Sequence, residues 1–316
     1  MKELIRNVLH AASAVVPFNV AKGFIGDRLV LPFYHLVSDA DVVHVKHLYR
    51  YRSVVEFRRD MEFFLKHFQP VGLHELLDHI EKGTEIRRNS FHLSFDDGLR
   101  EVHDVAAPIL KQMGIPATFF INSAFLDNRE MFYKNKASLL AEKGHGEKRV
   151  LSVRYSERHL LDEIAQFHGV DFTQYLSTHR PYLDSDQVKK LIRDGFTIGA
   201  HSIDHPPYAD IDVSEQIRQT TESVNALATK FAVPYRVFAF PFTDRGVPRQ
   251  FFDEVFGHGS VQLSCGGDSF QRDLHYPRNF QRVWMEGHAM SADRKLSAEA
   301  MKFALLKLAG RAIIRR

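Results

Sequence analysis

Apolar residues follow two patterns along this chain. Short runs of consecutive apolar residues predict buried strands at residues 29–33, 117–121, 236–240, 260–263 and 281–285, with two more that end at Asp96 and just before His201. Apolar residues at every third or fourth position predict amphipathic helices, and the clearest begins after Ser53, where Glu56 completes a capping box. Strands and helices alternate, which is typical of a parallel α/β protein.

The alternation stops between residues 126 and 180. This stretch is charged, has few β-branched runs and is predicted to be mostly helical. The alternation resumes with a helix capped by Asp184, with Gln187 three residues later. We therefore expect an amphipathic N-terminal segment (1–27), one α/β domain (28–290) with a helical insertion at about 126–180, and a basic C-terminal helix (291–316).

Two carboxylates stand at the end of one predicted strand, in the string Ser94-Phe95-Asp96-Asp97-Gly98. Neighbouring side chains there need not point the same way. One carboxylate can therefore bind a metal ion while the other takes a proton from the attacking water. The alternative for an isolated Asp-Asp pair is an ordinary solvated turn.

A second string, His201-Ser202-Ile203-Asp204-His205, follows another predicted strand. Two imidazoles four residues apart suit one helical turn or a tight loop around a single ion. Together with one carboxylate they leave coordination positions open, as catalytic metal sites do. Each string is a weak signal by itself, but both at strand ends favour a metal-dependent hydrolase.

These strings and a third, Phe238-Ala239-Phe240-Pro241-Phe242, resemble motifs of the polysaccharide deacetylases of carbohydrate esterase family four, which share the NodB-like homology domain. Residues 31–35, the helix after Ser53 and residues 182–188 resemble further family segments in the same order. The resemblance covers about residues 28–125 and 180–286. It implies a distorted (β/α)7 barrel of the α/β class. It also implies a bacterial-type enzyme that removes acetyl groups, N-acetyl before O-acetyl, from a polysaccharide or a lipid-linked glycan precursor.

The resemblance also assigns roles to residues. It implies that Asp97, His201 and His205 bind the metal, that Asp96 is the general base, and that the backbone N–H of Phe242 stabilises the oxyanion. The implied cofactor is one divalent ion. Zn²⁺ is expected first, with Co²⁺, Ni²⁺ and Mn²⁺ as alternatives.

One departure from the family pattern concerns the catalytic Asp. The family usually carries an orienting Arg where this chain has Ala239. Arg282 is our first candidate for the missing cation and Arg278 the second, and a surface salt bridge is an equal alternative for either.

The other departure concerns the general acid, because Leu274-His275 matches the family's late Leu-x-His motif poorly. The string Leu31-Pro32-Phe33-Tyr34-His35 resembles the first strand of circularly permuted members, in which that motif has moved to the front. First and last strands are neighbours in a closed barrel, so the move keeps the His in place. We predict that His35 protonates the leaving amine, with His275 as the alternative. A strand-end His bonded to a loop carbonyl is the other interpretation.

Composition excludes several classes of protein. With 42 basic and 39 acidic residues the net charge is +3, which is too balanced for a nucleic-acid-binding protein. The one cysteine, Cys265, cannot form an intramolecular disulfide. No apolar run reaches the roughly 18 residues of a membrane-spanning helix. His10 and Ser13 interrupt the apolar run near the N-terminus, so a cleaved signal peptide is not favoured, and we predict a cytoplasmic protein.

Both chain ends are basic and amphipathic. The C-terminal segment carries Met301, Ala304, Leu305 and Leu308 on one face. It is either a solvated helix packed on the barrel or a contact with an anionic surface, such as the inner surface of the membrane. The competing function is a glycan-binding or membrane-surface protein with weakened catalysis, which Ala239 favours. A third possibility is another metal-dependent carbon–nitrogen hydrolase.

Overall fold

A ring of parallel strands forms the centre of the molecule. The structure, a computed structural model, describes residues 11–13 and 15–316. All pairings between its strands are parallel. The strands in the described residues are β1 (Pro32–Tyr34), β2 (Gln69–Pro70), β3 (Ser90–Phe91), β4 (Leu93–Phe95), β5 (Ala117–Ile121), β6 (Thr197–Ala200), β7 (Val237–Ala239), β8 (Leu263–Gly266), β9 (Asn279–Gln281) and β10 (Val283–Trp284).

The last two strands close the ring. They are separated by Arg282 alone. β9 pairs with β8, Phe280 opposite Cys265, whereas β10 pairs with β1, Trp284 opposite Phe33. They therefore act as one broken strand, and the sheet is a seven-stranded barrel in the order β1, β4, β5, β6, β7, β8, β9–β10. The expected (β/α)7 barrel is confirmed.

Helices surround the barrel and fill the insertion. In the described residues they are α1 (Phe18–Ile25), α2 (Val54–His67), α3 (Leu73–Lys82), α4 (Ala107–Met113), α5 (Tyr133–Glu142), α6 (Glu147–Leu151), α7 (His159–Phe167), α8 (Phe172–His179), α9 (Ser185–Arg193), α10 (Val213–Phe231), α11 (Arg249–Gly257) and α12 (Ala292–Leu308). The capping boxes expected at Ser53 and Asp184 are both formed.

Two expected elements differ from the structure. The helix expected at residues 102–113 begins as a π-helical turn, Val102–Ala106, before α4. The strand expected at 260–263 is β8, which begins only at Leu263. Residues before it still complete the turn that ends α11, since the N–H of Val261 donates to the carbonyl of Val255.

The predicted insertion has a core of its own. Helices α5 to α8 pack their apolar side chains together with Leu36, Leu99 and Tyr182 from the barrel loops. This second core sits over the loops that follow β1, β4 and β5. The insertion therefore stands beside the carboxyl ends of these strands, where the candidate site residues lie.

The two ends of the chain pack against each other. Helices α1 and α12 are in contact, and Phe18, Ile25, Leu296 and Phe303 on them are buried in the main core. Residues 1–10 and 14 of the predicted N-terminal segment lie outside the described residues. The division of the chain at residues 27 and 291 stays a prediction. No helix in the described part of the chain is both long and apolar enough to cross a bilayer.

We expect Gly199→Ala to destabilise the fold by about 1–3 kcal/mol, because overpacked side chains must move. Gly199 lies in β6, which leads to His201, and an added Cβ would lie 2.5 Å from the ring of Phe120 and 2.9 Å from Val237. The control is Gly23→Ala in α1, where no atom lies within 4 Å of the added Cβ. That change should be neutral or stabilise by up to about 1 kcal/mol. Denaturant unfolding of both variants measures the difference, and equal effects would contradict the packing argument.

Candidate metal centre and catalytic pocket

The carboxyl ends of the barrel strands surround a pocket of about 520 Å³. In a parallel barrel all strands end at the same rim, so side chains that follow different strands converge there. The insertion closes one side with Phe132, Lys134 and Leu151. Its lining from the barrel and the strand-end loops includes His35, Tyr49, Asp96, Asp97, His201, His205, Phe240, Phe242, Gly266, Arg282 and Trp284.

Backbone turns of unusual conformation aim the site residues. Asp97, Ser202 and His205 have φ values of 69°, 69° and 64°, in the left-handed region that non-glycine residues rarely occupy. Such residues cost about 1–3 kcal/mol each and persist where the surroundings fix them. Gly98 follows with φ of 67°, and a Cβ there would lie 3.2 Å from Cγ2 of Ile121. This close approach is the physical reason for glycine after the Asp pair.

Three of the sequence-predicted residues meet in one cluster. The Nε2 of His205 lies 3.1 Å and the Nε2 of His201 3.5 Å from Oδ1 of Asp97. All three side chains are buried, and one ligand atom from each lies within 4.8 Å of the others. The Nδ1–H of His201 donates to the carbonyl of Ala239 at 2.8 Å, which leaves Nε2 with a free lone pair.

This cluster fits a divalent cation. Asp97 Oδ1 is buried and accepts no hydrogen bond from the described residues. Burial opposes ionisation of Asp97, but His205 and His201 hold the pKa of its carboxyl well below the usual range. Burial lowers the pKa of His205, so its imidazole is neutral at pH 7, as a ligand must be. One carboxylate and two imidazoles are a donor set that suits Zn²⁺ and its first-row neighbours.

Asp96 forms a buried ion pair with Arg282. The Nη1 and Nη2 groups donate to Oδ1 and Oδ2 at 2.7 Å each, and Nη1 also donates to Ser94 Oγ at 3.0 Å. Burial raises the pKa of Asp96, but the Arg282 charge outweighs this and lowers that pKa below its usual value. Both side chains are 2 % exposed, so this is no surface salt bridge. The structure brings Arg282 to Asp96, whereas Arg278 is exposed and does not line the pocket.

His35 lies in the pocket with Glu286 behind it. The Nδ1 of His35 is 2.7 Å from Oε2 of Glu286, and the same carboxylate accepts from the backbone N–H groups of His35 and Leu36 at 2.7 and 2.9 Å. Burial lowers the pKa of His35, but the hydrogen bond and charge of Glu286 prevail and raise it to about 9. The alternative, His275, is exposed beside Arg249, four residues before β9 begins. The structure thus places His35 in the pocket and His275 outside it.

Phe242 stands at the mouth of the pocket. Its φ is 56°, its side chain is 51 % exposed, and its ring lies 4.7 Å from that of His205. Its backbone N–H makes no hydrogen bond with the described residues. That N–H is therefore free to donate to an incoming oxygen.

Sequence reasoning missed several residues that line the pocket or hold its side chains in place. Glu286 could have been found, because it follows the last predicted strand and first and last strands are neighbours in a closed barrel. Asn122, whose amide donates to the carbonyl of His201 and to Ser202 Oγ, also follows a predicted strand. Tyr49 and Phe132 come from long loops and gave no sequence signal. Trp284, whose indole N–H donates to Glu286 at 3.3 Å, was noticed only as part of a strand.

Comparison with known proteins places these residues in a family. The family model described as polysaccharide deacetylase matches residues 84–249, which include both the Asp96-Asp97 and the His201-His205 strings. The chain belongs to the polysaccharide deacetylase family. Membership supports hydrolytic deacetylation of a polysaccharide. No curated protein matches this family member in sequence.

Solved structures of deacetylases share its fold. Deacetylase PplD of Streptococcus pyogenes, in complex with acetate, has a TM-score of 0.58 at 13 % identity and covers 87 % of this chain and 99 % of its own. IcaB from Ammonifex degensii has a TM-score of 0.56 at 16 % identity, with 87 % and 97 % covered. A de-N-acetylase from Aggregatibacter actinomycetemcomitans has a TM-score of 0.57 at 14 % identity, with 85 % and 100 % covered. At these identities the likeness concerns the fold.

We expect the purified family member to bind one divalent ion per chain and His205→Ala to lose it. Removal of one of three protein ligands should weaken binding by orders of magnitude. The control is His275→Ala, which removes an exposed imidazole and should keep full metal content. Titration of Zn²⁺ into metal-free protein, with elemental analysis, measures both. Undiminished stoichiometric metal in His205→Ala would refute the ligand assignment.

Proposed function

We propose that this polysaccharide deacetylase is a metal-dependent enzyme that removes N-acetyl groups from an acetylated glycan. The observation that carries the proposal is that two side chains of one pocket, Asp96 and His35, each have a partner of opposite charge. Asp96 is held ionised by Arg282, and His35 is held protonated by Glu286. Amide hydrolysis needs both a base and an acid at the same pH, and this arrangement supplies them.

Asp96 acts as the general base in this proposal. Arg282 grips both carboxylate oxygens, so the carboxylate cannot rotate, yet each oxygen keeps a lone pair for the proton of the attacking water. The family usually carries the orienting Arg at the position of Ala239, and in this proposal Arg282 from the last barrel strand replaces it. This weakens the case for a binding protein with reduced catalysis, which depended on that missing cation.

Asp97, His201 and His205 are the residues that would hold the metal. A divalent ion bound there supplies a Lewis acid that polarises the acetyl carbonyl and makes water more acidic. We expect Zn²⁺, with Co²⁺, Ni²⁺ and Mn²⁺ as alternatives. In this proposal the backbone N–H of Phe242, which makes no hydrogen bond with the described residues, donates to the developing oxyanion.

His35 acts as the general acid. An amine is a poor leaving group until its nitrogen is protonated, whereas an alkoxide of a sugar leaves more readily. A histidine whose carboxylate partner keeps it protonated above neutral pH therefore supports N-deacetylation over O-deacetylation.

The aromatic lining supports a sugar substrate. Tyr49 and Trp284 stand edge-to-face with ring centroids 6.1 Å apart, and Phe132 packs 4.3 Å from the ring of His205. Rings of this kind offer apolar faces on which the C–H face of a sugar can rest. The substrate class we propose is an acetylated polysaccharide or a lipid-linked glycan precursor.

The test is release of acetate from N-acetylated amino-sugar oligomers. We expect release with metal, loss with a chelator and recovery when Zn²⁺ is added back. O-acetylated oligomers, assayed in parallel, should be slower. No acetate release by metal-loaded protein, together with tight oligomer binding, would favour the glycan-binding alternative.

In this assay Asp96→Asn should lower turnover by about 10² or more, because an amide cannot accept the proton. Its metal content should stay at the wild-type level, since Asp97, His201 and His205 are untouched. Arg282 loses its buried partner in this variant, so thermal unfolding must show that the protein is folded at the assay temperature. Turnover near wild type would place the base elsewhere.

The pH dependence should have an alkaline limb near pH 9. The acid form of His35 is lost as pH rises through its pKa of about 9. Glu286→Gln removes the charge that raises this pKa, so the limb should move down towards about 6.5, the usual histidine pKa, and activity at pH 8 should fall about 30-fold. The control is Glu163→Gln, an exposed carboxylate on α7, which should leave the limb in place. A limb that stays near pH 9 in Glu286→Gln would exclude His35 as the titrating acid.

A further inference from the structure

Exposed apolar side chains concentrate on the two helices at the chain ends. The described residues contain eleven large apolar side chains that are exposed, and six of these lie on α1, on α12 or just beside them. Helices α1 and α12 pack on each other. We call this surface the end-helix patch, formed by Val15 (79 % exposed), Val20 (62 %), Phe24 (46 %), Leu305 (51 %), Leu308 (86 %) and Ile313 (46 %).

Helices α1 and α12 each bury one apolar face in the core, and the patch consists of further apolar side chains on their exposed sides. Helix α1 buries Phe18, Ala21 and Ile25 in the main core, and Val20 and Phe24 point away from that core. An ordinary surface helix is polar on the side that faces water. The one charged residue of α1, Lys22, turns instead towards the end of α2, where it donates to the carbonyl of His67 and lies 4.9 Å from the ring of Phe68. The side of α1 that carries Val20 and Phe24 therefore has apolar residues that core packing does not require.

Unpaired positive charge lies at the C-terminal end of the patch. Residues 300–316 include five basic residues and no acidic ones. Lys302 pairs with Glu299 at 2.9 Å, and Arg316 pairs with Asp244 and Asp273. The other three, Lys307, Arg311 and Arg315, are exposed and form no ion pair with the described residues.

We infer that the end-helix patch binds the surface of an anionic lipid bilayer. Apolar side chains enter the boundary between headgroups and acyl chains, while Lys307, Arg311 and Arg315 contact anionic headgroups. A second copy of the chain is the less suitable occupant. In a twofold dimer each patch would face its own positive charge, with no acidic residue among 300–316 to neutralise it.

The patch lies away from the pocket along α12. This helix begins eight residues after Trp284, which lines the pocket, and the N–H of Ala292 at its start donates to Asp60. The helix carries the chain about 20 Å further before Leu305, at 1.5 Å per residue. Attachment through the patch therefore leaves the pocket open to glycans near the membrane. This inference does not depend on the proposed deacetylation.

Vesicle co-sedimentation of the full chain tests the inference. We expect binding to vesicles of phosphatidylcholine mixed with phosphatidylglycerol, and much weaker binding to phosphatidylcholine alone. Leu305→Gln/Leu308→Gln should weaken binding at least about tenfold. Lys307→Gln/Arg311→Gln should weaken it about fivefold per charge at low salt, and less as salt rises.

Matched controls come from the insertion. Phe167→Gln removes an apolar side chain that is 84 % exposed on α7, to be compared with the single change Leu308→Gln. Lys148→Gln/Arg149→Gln removes two exposed charges on α6. Both controls should bind like wild type. Acetate release from soluble oligomers and the melting temperature should be unchanged in every variant, which separates this test from that of the proposed function.

Three results would overturn the inference. These are no binding to anionic vesicles, equal binding to anionic and neutral vesicles, and patch variants that bind like wild type. Sedimentation velocity adds a fourth. A dimer that Leu305→Gln/Leu308→Gln dissociates, without vesicle binding, would make the patch an interface between copies of this chain.

Discussion

The site depends on the break in the last barrel strand at Arg282. Its backbone joins the two halves of that strand, since its N–H donates to Gly266 of β8 at 3.2 Å and Val283 donates to Leu31 beside β1 at 2.8 Å. Its guanidinium lies inside the barrel, 4.3 Å from the ring of Phe33, and grips Asp96. A buried arginine needs a partner, because an unpaired charge in the interior costs several kcal/mol. The residue that closes the barrel therefore also orients the carboxylate of Asp96.

The same strand end also supplies the partner of His35, the proposed acid. Glu286 follows β10 by two residues, and its carboxylate binds His35 and the backbone after β1. One short segment thus supplies both Arg282, which binds Asp96, and Glu286, which binds His35. Each partner stabilises the charged form of its neighbour, so the proposed base and the proposed acid are both in the state they need at the same pH. Arg282 and Glu286 themselves need not touch the reacting atoms.

The candidate metal cluster depends on backbone turns that are costly in isolation. Asp97, Ser202 and His205 adopt left-handed conformations, and hydrogen bonds hold the turns in place. Ser202 Oγ accepts from the N–H of His205 at 3.0 Å, and Asn122 donates to the same oxygen at 3.2 Å. The insertion adds Phe132 against His205 and excludes water from that side. Rigid surroundings of this kind are what a set of metal ligands requires.

The sequence by itself determined the local elements, both capping boxes, the insertion and the strings that carry Asp96, Asp97, His201 and His205. Short-range spacing encodes these features, because a helix face, a cap and a strand end are set by neighbours a few residues away. The cytoplasmic location stays a prediction. Only the tertiary structure brings Arg282, and not Arg278, to Asp96, and His35, and not His275, into the pocket. The decisive contacts join residues 186 and 251 positions apart. They exist only once the barrel closes, and the register of that closure, with its break at Arg282, is set by strand pairing across the whole sheet rather than by any local pattern.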